Sequence, residues 1–372
     1  VEVMLDPIMA DWDCGPFPPI LREAGGYFGD WQGHEARHAH EGLATSQVLL
    51  PQEVEAAVDR LQGESPRIPF GVNLIHSPGN PELEMVLADL FLRRQVRLVS
   101  ASAYVEPNLV LVYLRAKGAH RGPDGRVVCP NRIIAKVSRT EVARKFMAPP
   151  AEKFLARLVA LGRLSAEEAG LAASVPLAAE ITAEADSGGH TDNRPAITLL
   201  PTMLALRDEL STLHGYERPP CVGLAGGIAT PESTAAAFAL GAAYVLTGSI
   251  NQCCVEAGTS SAVCGMLAEA GPADVAMAPA ADMFELGVKV QVLKRGTIFP
   301  YRAAKLYELY TAYEAYEEIP AKQRETLERD LLRCSFDQEW EQTERFFRQR
   351  DPKQIERARR DPKHKMALVF RS

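Results

Sequence analysis

The stretch Leu224–Ser249, LAGGIATPESTAAAFALGAAYVLTGS, gives the clearest indication of the architecture, because it holds a strand, a helix and a second strand in quick succession. Short apolar runs at both ends lead into glycine-containing turns. Between them, Thr230 is a predicted helix N-cap, Pro231 takes the first helical position, and Gly241 ends the helix. We interpret the stretch as one β-α-β step of a parallel sheet.

From about residue 68 the chain repeats this alternation of short apolar strands and amphipathic helices. Each strand is apolar until its C-terminal end, where polar residues or glycines follow. In a barrel all of these ends meet on one face, and that face carries the active site. The strands that we predict span residues 68–75, 96–102, 132–138, 177–185, 221–228 and 243–249.

This pattern predicts the α/β fold class, as a TIM (β/α)8 barrel with a C-terminal helical appendage. We expect the barrel to occupy residues 1–299, with an atypical segment at residues 1–50, and the helical appendage to occupy residues 300–372. After residue 300 the sequence is helical without strands, and its stripe of Tyr and Leu indicates core or interface. The length of 372 residues fits either one domain with an extension or two domains.

The glycines at the two strand ends of the opening stretch are suited to binding a phosphate. Gly226, Gly227 and Gly248 let backbone amides approach an anion closely, and the helix after the first turn adds the positive end of its dipole. Many barrels bind phosphate after strands seven and eight. The alternative is that Gly226 and Gly227 only form a tight turn and that Gly248 is a packing contact.

A second group of candidate residues lies at the ends of three other predicted strands. Gly188 and Gly189 allow the close approach of a flat ligand, and His190 can donate a proton near neutral pH. Lys136 lies inside an apolar strand, which favours an anion or an electron-rich ring as its partner. Asn73 can hydrogen-bond to the edge of a heterocycle. The alternatives are a structural role for His190, a Lys136 side chain that reaches solvent, and a loop-capping role for Asn73.

Composition argues against several classes of function. The formal net charge of −7 argues against a general nucleic-acid binder, although basic residues are dense in residues 345–365, which we interpret as a solvated helical surface. The seven cysteines show no zinc or disulfide spacing, and we expect reduced thiols in a cytoplasmic protein. No apolar run is long enough to span a bilayer, so we expect no membrane association. His34, His38 and His40 lack a carboxylate partner pattern, and we expect no metal site.

The sequence resembles the PfaD-type, trans-acting enoyl reductases of polyunsaturated fatty acid and polyketide synthases, which are relatives of the nitronate monooxygenases. The resemblance covers about residues 68–370 and is carried by long, specific motifs. They include FGVNLIHSP, NRIIAKVSRTEVARKFMAPP, ITAEADSGGHTDNRP, MFELGVKVQVLKRGTIFPYRAAKLYELY and RDPKHKMALVF. Residues 1–50 do not match the first strand of the family, and VEVMLDPIMA is the best substitute for it.

The resemblance implies an FMN-dependent barrel that takes hydride from NADPH and reduces an enoyl thioester on an acyl carrier protein. It assigns the isoalloxazine ring of FMN to Asn73 and Lys136, and a catalytic role to His190. The cofactor-binding residues that it implies are Asn73, Lys136, Gly188, Gly189, Ala225, Gly226, Gly227, Thr247, Gly248 and Ser249. The expected partners are an acyl carrier protein and a polyketide or fatty acid synthase, and a homodimer is compatible with the sequence.

Two other functions stay open at this point. One is a flavin oxidase of the nitronate monooxygenase kind, in which reduced flavin reacts with oxygen. The other is an inactive barrel that serves as a docking module for a carrier protein, and only the unusual N-terminal segment favours it.

Overall fold

The computed structural model describes residues 3–5, 51–64, 70–76, 81–253, 259–281, 283–350 and 352–371. Within these ranges the strands are β1 (Val3–Leu5), β2 (Phe70–Ile75), β3 (Leu98–Ser102), β4 (His120–Arg121), β5 (Val127–Val128), β6 (Arg132–Val137), β7 (Glu180–Glu184), β8 (Gly189–His190), β9 (Cys221–Ala225), β10 (Val245–Leu246), β11 (Val275–Pro279) and β12 (Lys289–Leu293).

The α-helices of the same ranges are α1 (Pro51–Glu64), α2 (Pro81–Arg93), α3 (Leu109–Ala116), α4 (Thr140–Met147), α5 (Glu152–Ala160), α6 (Ala166–Ala172), α7 (Ala196–His214), α8 (Pro231–Ala239), α9 (Ser261–Ala268), α10 (Phe299–Ala312), α11 (Ala321–Thr326), α12 (Phe336–Arg350), α13 (Pro352–Ala358) and α14 (Pro362–Arg371). A π-helical turn, Leu327–Leu332, continues α11.

Seven strands form one parallel sheet, in the order β1-β2-β3-β6-β7-β9-β10. The strands lie in the sheet in the order in which they occur in the chain, and helices connect them. This is the strand order of a (β/α)8 barrel, so the predicted fold class is confirmed. Val3–Leu5 pairs with β2, which shows that the N-terminal segment supplies the first strand.

The sheet is held by an apolar layer between one of its faces and the surrounding helices. Val72, Ile181 and Val222 of three strands are almost fully buried and belong to the same core cluster as Phe91 of α2 and Leu200 of α7. Because side chains alternate along a strand, the residues between these positions point to the opposite face of the sheet. That second face is where the predicted polar residues lie.

β2 and β3 end where the sequence predicts, at Ile75 and Ser102, whereas β9 and β10 are clearly shorter than predicted at their C-terminal ends. β9 ends at Ala225, before the two glycines, and β10 holds only Val245–Leu246 of the predicted residues 243–249. The glycine and polar residues that follow make no strand pairing in the described ranges and form the loops at the C-terminal edge of the sheet. The predicted caps of α8 are observed, since Thr230 caps the helix and Gly241 follows it with a φ of 101°.

The described residues divide into two units. The first comprises those of Val1–Ser187 and Thr191–Gly265, and the second those of Gly188–His190 and Met266–Ser372. In the second unit β12 pairs antiparallel with both β11 and β8, and α10 packs against β11. The boundary predicted after residue 299 lies inside this unit, because β12 pairs with both β11 and β8.

The helices of the second unit enclose a core of their own, and the C-terminal helical region predicted from the sequence is confirmed. Its buried members include Phe284, Leu306, Ile319, Phe336, Met366 and Phe370. The rings of Tyr316 and Phe336 stack at 3.9 Å between centroids. In the described part of the chain, no helix has the length and apolar character that crossing a membrane requires.

Candidate active site

The ends of β9 and β10 bring the two glycine turns of the opening stretch together. Ala225 of β9 lies opposite Leu246 of β10 in the parallel register. Neighbouring strands of a sheet are about 4.8 Å apart. Gly226–Gly227 and Thr247–Gly248 are therefore side by side at the C-terminal edge of the sheet.

The glycines of these turns hold three backbone amides that can donate to a ligand. Those of Gly226, Gly227 and Gly248 donate no hydrogen bond to any residue within the described ranges. At Gly227 and Gly248 no atom of another described residue, apart from the chain neighbours, lies within 4 Å of the position that a Cβ would take. Bare amides that border open space form the kind of cradle that binds an anion.

Gly226 is required for a different reason, which is packing. A Cβ at this position would lie 2.6 Å from the carbonyl oxygen of Asp186 and 2.7 Å from that of Ala185. Its φ of 93° is also one that favours glycine. The close approach of this backbone to the end of β7 therefore fixes the position of the turn.

The start of α8 contributes fewer donors than the sequence suggests. Ser233 Oγ accepts hydrogen bonds from the amides of Thr230, at 3.0 Å, and Ala229, at 3.1 Å. Thr230 Oγ1 in turn accepts from the amide of Ser233 at 3.2 Å, and Pro231 has no amide hydrogen. The helix still directs the positive end of its dipole toward the turn, while the unused amides belong to the glycines before it.

The turn after β10 is held in shape by a residue that sequence analysis did not single out. The side chain of Asn251 accepts a hydrogen bond from Thr247 Oγ1 and donates one to the carbonyl oxygen of Thr247, each 3.2 Å long. The backbone amide of Asn251 donates to the carbonyl oxygen of Gly248 at 2.9 Å. Thr247, Gly248 and Ser249 are exposed. Asn251 is thus a supporting residue for the predicted phosphate site.

Asn73 lies in β2 on the face opposite the helix-packed residues. Only 4% of its surface is exposed. Its Oδ1 accepts a hydrogen bond of 2.6 Å from Ser102 Oγ at the end of β3. Because the oxygen is engaged, the side chain presents its amide hydrogens, which donate to no residue in the described ranges. Asn73 is thereby oriented as a hydrogen-bond donor.

Lys136 of β6 lies on the same face of the sheet as Asn73. In the parallel register Asn73 is opposite Ser100, and Ser100 is opposite Ile134. Ile134 is two residues before Lys136, so both point to that face. Lys136 is half-buried. No carboxylate in the described part of the chain forms an ion pair with its ammonium group. A partly desolvated charge of this kind is stabilised by an anion or by an electron-rich ring.

Tyr244, which sequence analysis missed, packs against the sheet face that carries Lys136. Lys136 lies opposite Thr182, and Thr182 lies opposite Gly223. A Cβ on Gly223 would be 2.4 Å from the ring of Tyr244, whose hydroxyl lies 2.8 Å from Thr182 Oγ1. Burial raises the pKa of the Tyr244 hydroxyl, so it stays neutral. Gly223 in a strand interior was the available signal, since such a glycine marks a close approach.

A buried carboxylate at the same end of the sheet was also missed. Glu84 of α2 is only 2% exposed. Its Oε1 lies 2.9 Å from Nδ1 of His76, and its Oε2 accepts hydrogen bonds of 2.8 Å from both Tyr104 Oη and Asn108 Nδ2. Burial, and then the charge of Glu84, raise the pKa of Tyr104, which keeps this hydroxyl a donor.

This network joins the loops that follow β2 and β3. The amide of His76 donates to the carbonyl oxygen of Ser102, whose hydroxyl is bonded to Asn73. The next residue, Ala103, has a φ of 62°, which is unusual for a residue with a side chain. A signal for Glu84 existed, because it shares the buried face of α2 with Leu87 and Phe91.

His190 and the two glycines before it belong to the second unit. Gly189–His190 forms β8 and pairs with Val290 and Gln291 of β12, whereas we predicted this segment as the end of a barrel strand. The sequence pattern gave no sign of this pairing, because the partner residues in β12 lie about one hundred residues later in the chain. His190 is exposed, and Gly189 has a φ of 84° with open space at its Cβ position.

Some predictions concern residues outside the described ranges. They include the metal-site question for His34, His38 and His40 and most of the atypical residues 1–50. Within the described ranges, no group of three or more His, Cys, Asp or Glu side chains is placed to hold a metal ion.

Sequence comparison finds relatives among polyketide biosynthesis proteins and polyunsaturated fatty acid synthases. The chain is 47% identical over 324 residues to polyketide biosynthesis protein PksE of Bacillus subtilis, a match that covers 87% of this chain and 42% of PksE. It is 46% identical over 322 residues to a polyunsaturated fatty acid synthase polypeptide of Thraustochytrium sp., a match that covers 86% of this chain and 22% of that polypeptide. The chain thus spans less than half the length of these curated relatives.

Structure comparison finds the enoyl reductase domain of MlnA, from the macrolactin biosynthesis cluster of Bacillus amyloliquefaciens. The TM-score is 0.81 and the identity 36%, over 99% of this chain and 80% of that domain. In addition, the family model for the inserted helical domain of acyl-carrier-protein S-malonyltransferase matches residues 313–372. The match lies entirely within the second unit.

Proposed function

Since the chain belongs to the family of PfaD-type enoyl reductases of polyunsaturated fatty acid and polyketide synthases, we propose that it reduces an enoyl thioester carried by an acyl carrier protein. We further propose FMN as its resident cofactor and NADPH as the source of hydride. The observation that carries this proposal is the pair of adjacent glycine turns with unused amides after β9 and β10.

The donor groups on the sheet fit a flavin nucleotide. Gly226, Gly227 and Gly248 offer amides for its phosphate group. Asn73 offers an amide donor, and Lys136 offers a positive charge, for the edge of a heterocycle. An isolated phosphate would use only the first set, whereas a phosphorylated flat ring would use both.

Each of these residues has a distinct part in the proposed reaction. When bound, FMN supplies the hydride-transfer chemistry between NADPH and the β-carbon of the enoyl group. The glycine turns hold the phosphate, Asn73 orients the ring through a hydrogen bond, and Lys136 places positive charge beside it. His190 is our proposed donor of the proton to the α-carbon, which completes the saturation of the double bond.

The experiment that tests this proposal starts with the purified full chain. The visible absorption spectrum is recorded before and after incubation with FMN. NADPH oxidation is then followed without oxygen, in the presence and absence of an enoyl thioester on the carrier protein, and the product is identified by mass spectrometry.

We expect a flavin spectrum, NADPH oxidation that depends on the enoyl thioester, and a product heavier by two hydrogen atoms. A chain that never binds FMN would contradict both enzyme functions and favour a docking module. NADPH oxidation that ignores the thioester but requires oxygen and a nitronate would favour a flavin oxidase.

A further inference from the structure

The second unit has a basic surface that the proposed reaction does not use. Residues 345–371 contain ten Lys or Arg and only three Asp or Glu, although the whole chain has a net charge of −7. The three helices that hold these residues, α12, α13 and α14, pack against one another. The positive charge is thus concentrated on one small bundle, where it produces a local field of opposite sign to that of the whole chain.

Part of this charge has no internal counter-charge. Arg345 and Arg360 are exposed and form no ion pair with any residue that the structure describes. Other cations of the bundle are paired, as Arg359 is with Glu344 at 3.0 Å. The sequence favoured a solvated helical surface for these residues. That interpretation describes the paired cations, but it gives no role to Arg345 and Arg360.

The same bundle contributes to a groove lined by aromatic rings. It has a volume of about 360 Å³, and its lining includes Tyr316, Phe336 and Trp340 together with Arg359 and Lys365. The ammonium group of Lys365 lies 5.4 Å from the ring centre of Phe336 and 5.1 Å from that of Trp340. No carboxylate in the described ranges pairs with Lys365. The groove also contains Glu317, which is exposed.

The residue before Lys365 holds α14 in place. His364 is only 1% exposed, with Nδ1 at 2.7 Å from Glu285 Oε1 and Nε2 at 2.8 Å from Gln354 Oε1. Lys365 is therefore presented from a fixed helix. A fixed cation above aromatic rings can receive a carboxylate, while the rings receive the apolar part of the same partner.

We propose that this helical bundle, through Arg345, Arg360 and the Lys365 groove, docks a carboxylate-rich helical face of the acyl carrier protein. This inference rests on the proposed function, because it names the surface that receives the carrier of the enoyl thioester. Charge complementarity selects the occupant. The helical segment that bears the groove also matches an inserted domain of transferases that are named for the acyl carrier protein.

Direct binding tests the proposal without any turnover. The acyl carrier protein of the same synthase is labelled with a fluorophore, and its anisotropy is titrated with the full chain at low and at moderate salt. We expect the double variant R345E/R360E to raise the Kd on the order of tenfold and to weaken its salt dependence. Lys365→Met keeps the packing of the groove and should raise the Kd with a smaller change in salt dependence.

A matched control reverses charge elsewhere. Arg157 of α5 is exposed and has no ion pair among the described residues, so R157E should leave the Kd unchanged. If R157E raised the Kd as much as the double variant, the proposal would be overturned. It would also be overturned if the double variant left the Kd unchanged, or if Lys365→Met did. Tighter binding of an RNA or DNA oligomer than of the carrier protein would also overturn it.

Kinetics separate this inference from the proposed function. With the enoyl group on the carrier protein, R345E/R360E should raise KM on the order of tenfold and leave kcat unchanged. With the same enoyl group on pantetheine, both constants should equal those of the unmodified chain. If the unmodified chain reduces the pantetheine thioester but R345E/R360E does not change KM for the carrier substrate, only the docking surface is refuted. If the unmodified chain reduces neither substrate, the proposed function is refuted.

Discussion

His76 Nδ1 lies 2.9 Å from Oε1 of Glu84, a carboxylate that also accepts hydrogen bonds from Tyr104 and Asn108. Glu84 thus satisfies three side chains from two loops at the C-terminal end of the sheet. Only 2% of Glu84 is exposed, so its carboxylate is satisfied by these protein groups and not by solvent.

Replacing Glu84 by alanine should therefore lower the free energy of unfolding by about 3 kcal/mol, because buried donors lose a charged acceptor. Urea unfolding of the full chain measures this. Glu82→Ala is the matched control, since Glu82 lies in the same first turn of α2 but is exposed, and it should cost little. Equal losses for the two variants would contradict a structural role for the network.

Gly226 and Gly227 should respond differently to the same substitution. Gly226→Ala places a Cβ 2.6 Å from the carbonyl oxygen of Asp186, so we expect a loss of about 3 kcal/mol and loss of phosphate binding. Gly227→Ala meets open space and should cost only the strain of its φ of 70°, about 1 kcal/mol. Urea unfolding and FMN titration check the order, and a larger loss for Gly227→Ala would disprove this account of the turn.

Lys136→Met tests whether the half-buried ammonium serves the cofactor. The variant should not lower the stability of the protein without FMN, because the charge has no ion-pair partner among the described residues. The Kd for FMN should rise tenfold or more, which equals about 1.4 kcal/mol. FMN fluorescence titration measures it, with Lys153→Met as a control at an exposed lysine. An unchanged Kd would remove Lys136 from the proposed site.

His190→Ala tests the proposed proton donor. We expect FMN to bind as before and the rate of enoyl reduction to fall on the order of 100-fold, since a positioned general acid contributes about this factor. Single-turnover reduction of the carrier-bound thioester is the direct measurement. His120, which is also exposed, provides a control at a position without a proposed role. A rate equal to that of the unmodified chain would exclude His190 as the acid.

The sequence predicts the barrel well, because its signals are local. Apolar runs of strand length, a capped helix after Thr230 and polar strand ends each follow from a few neighbouring residues. β8 could not be predicted in this way. It holds two residues, and its partners in β12 lie one hundred residues later in the chain.

The sequence predicts the residues that would contact a ligand better than the residues that hold them in position. Glycine turns, Asn73 and Lys136 stand out by residue type at a strand end. The contacts of Ser102 and Glu84 are recognised only when the loops are seen to meet, since their partners Asn73 and Tyr104 are distant in the sequence. Asn251 acts on Thr247, only four residues before it. Glu84 had a signal as a carboxylate on the apolar face of α2, and Gly223 was the signal for Tyr244.

The pairing of β8 with β12 means that the second unit is not a continuous piece of chain. A fragment that begins at Met266 would leave β12 as an edge strand of a two-stranded hairpin, with unpaired backbone groups open to aggregation. Transplanting this helical unit to another synthase would require two segments of the gene, and a single cut between the units would damage the sheet of the second.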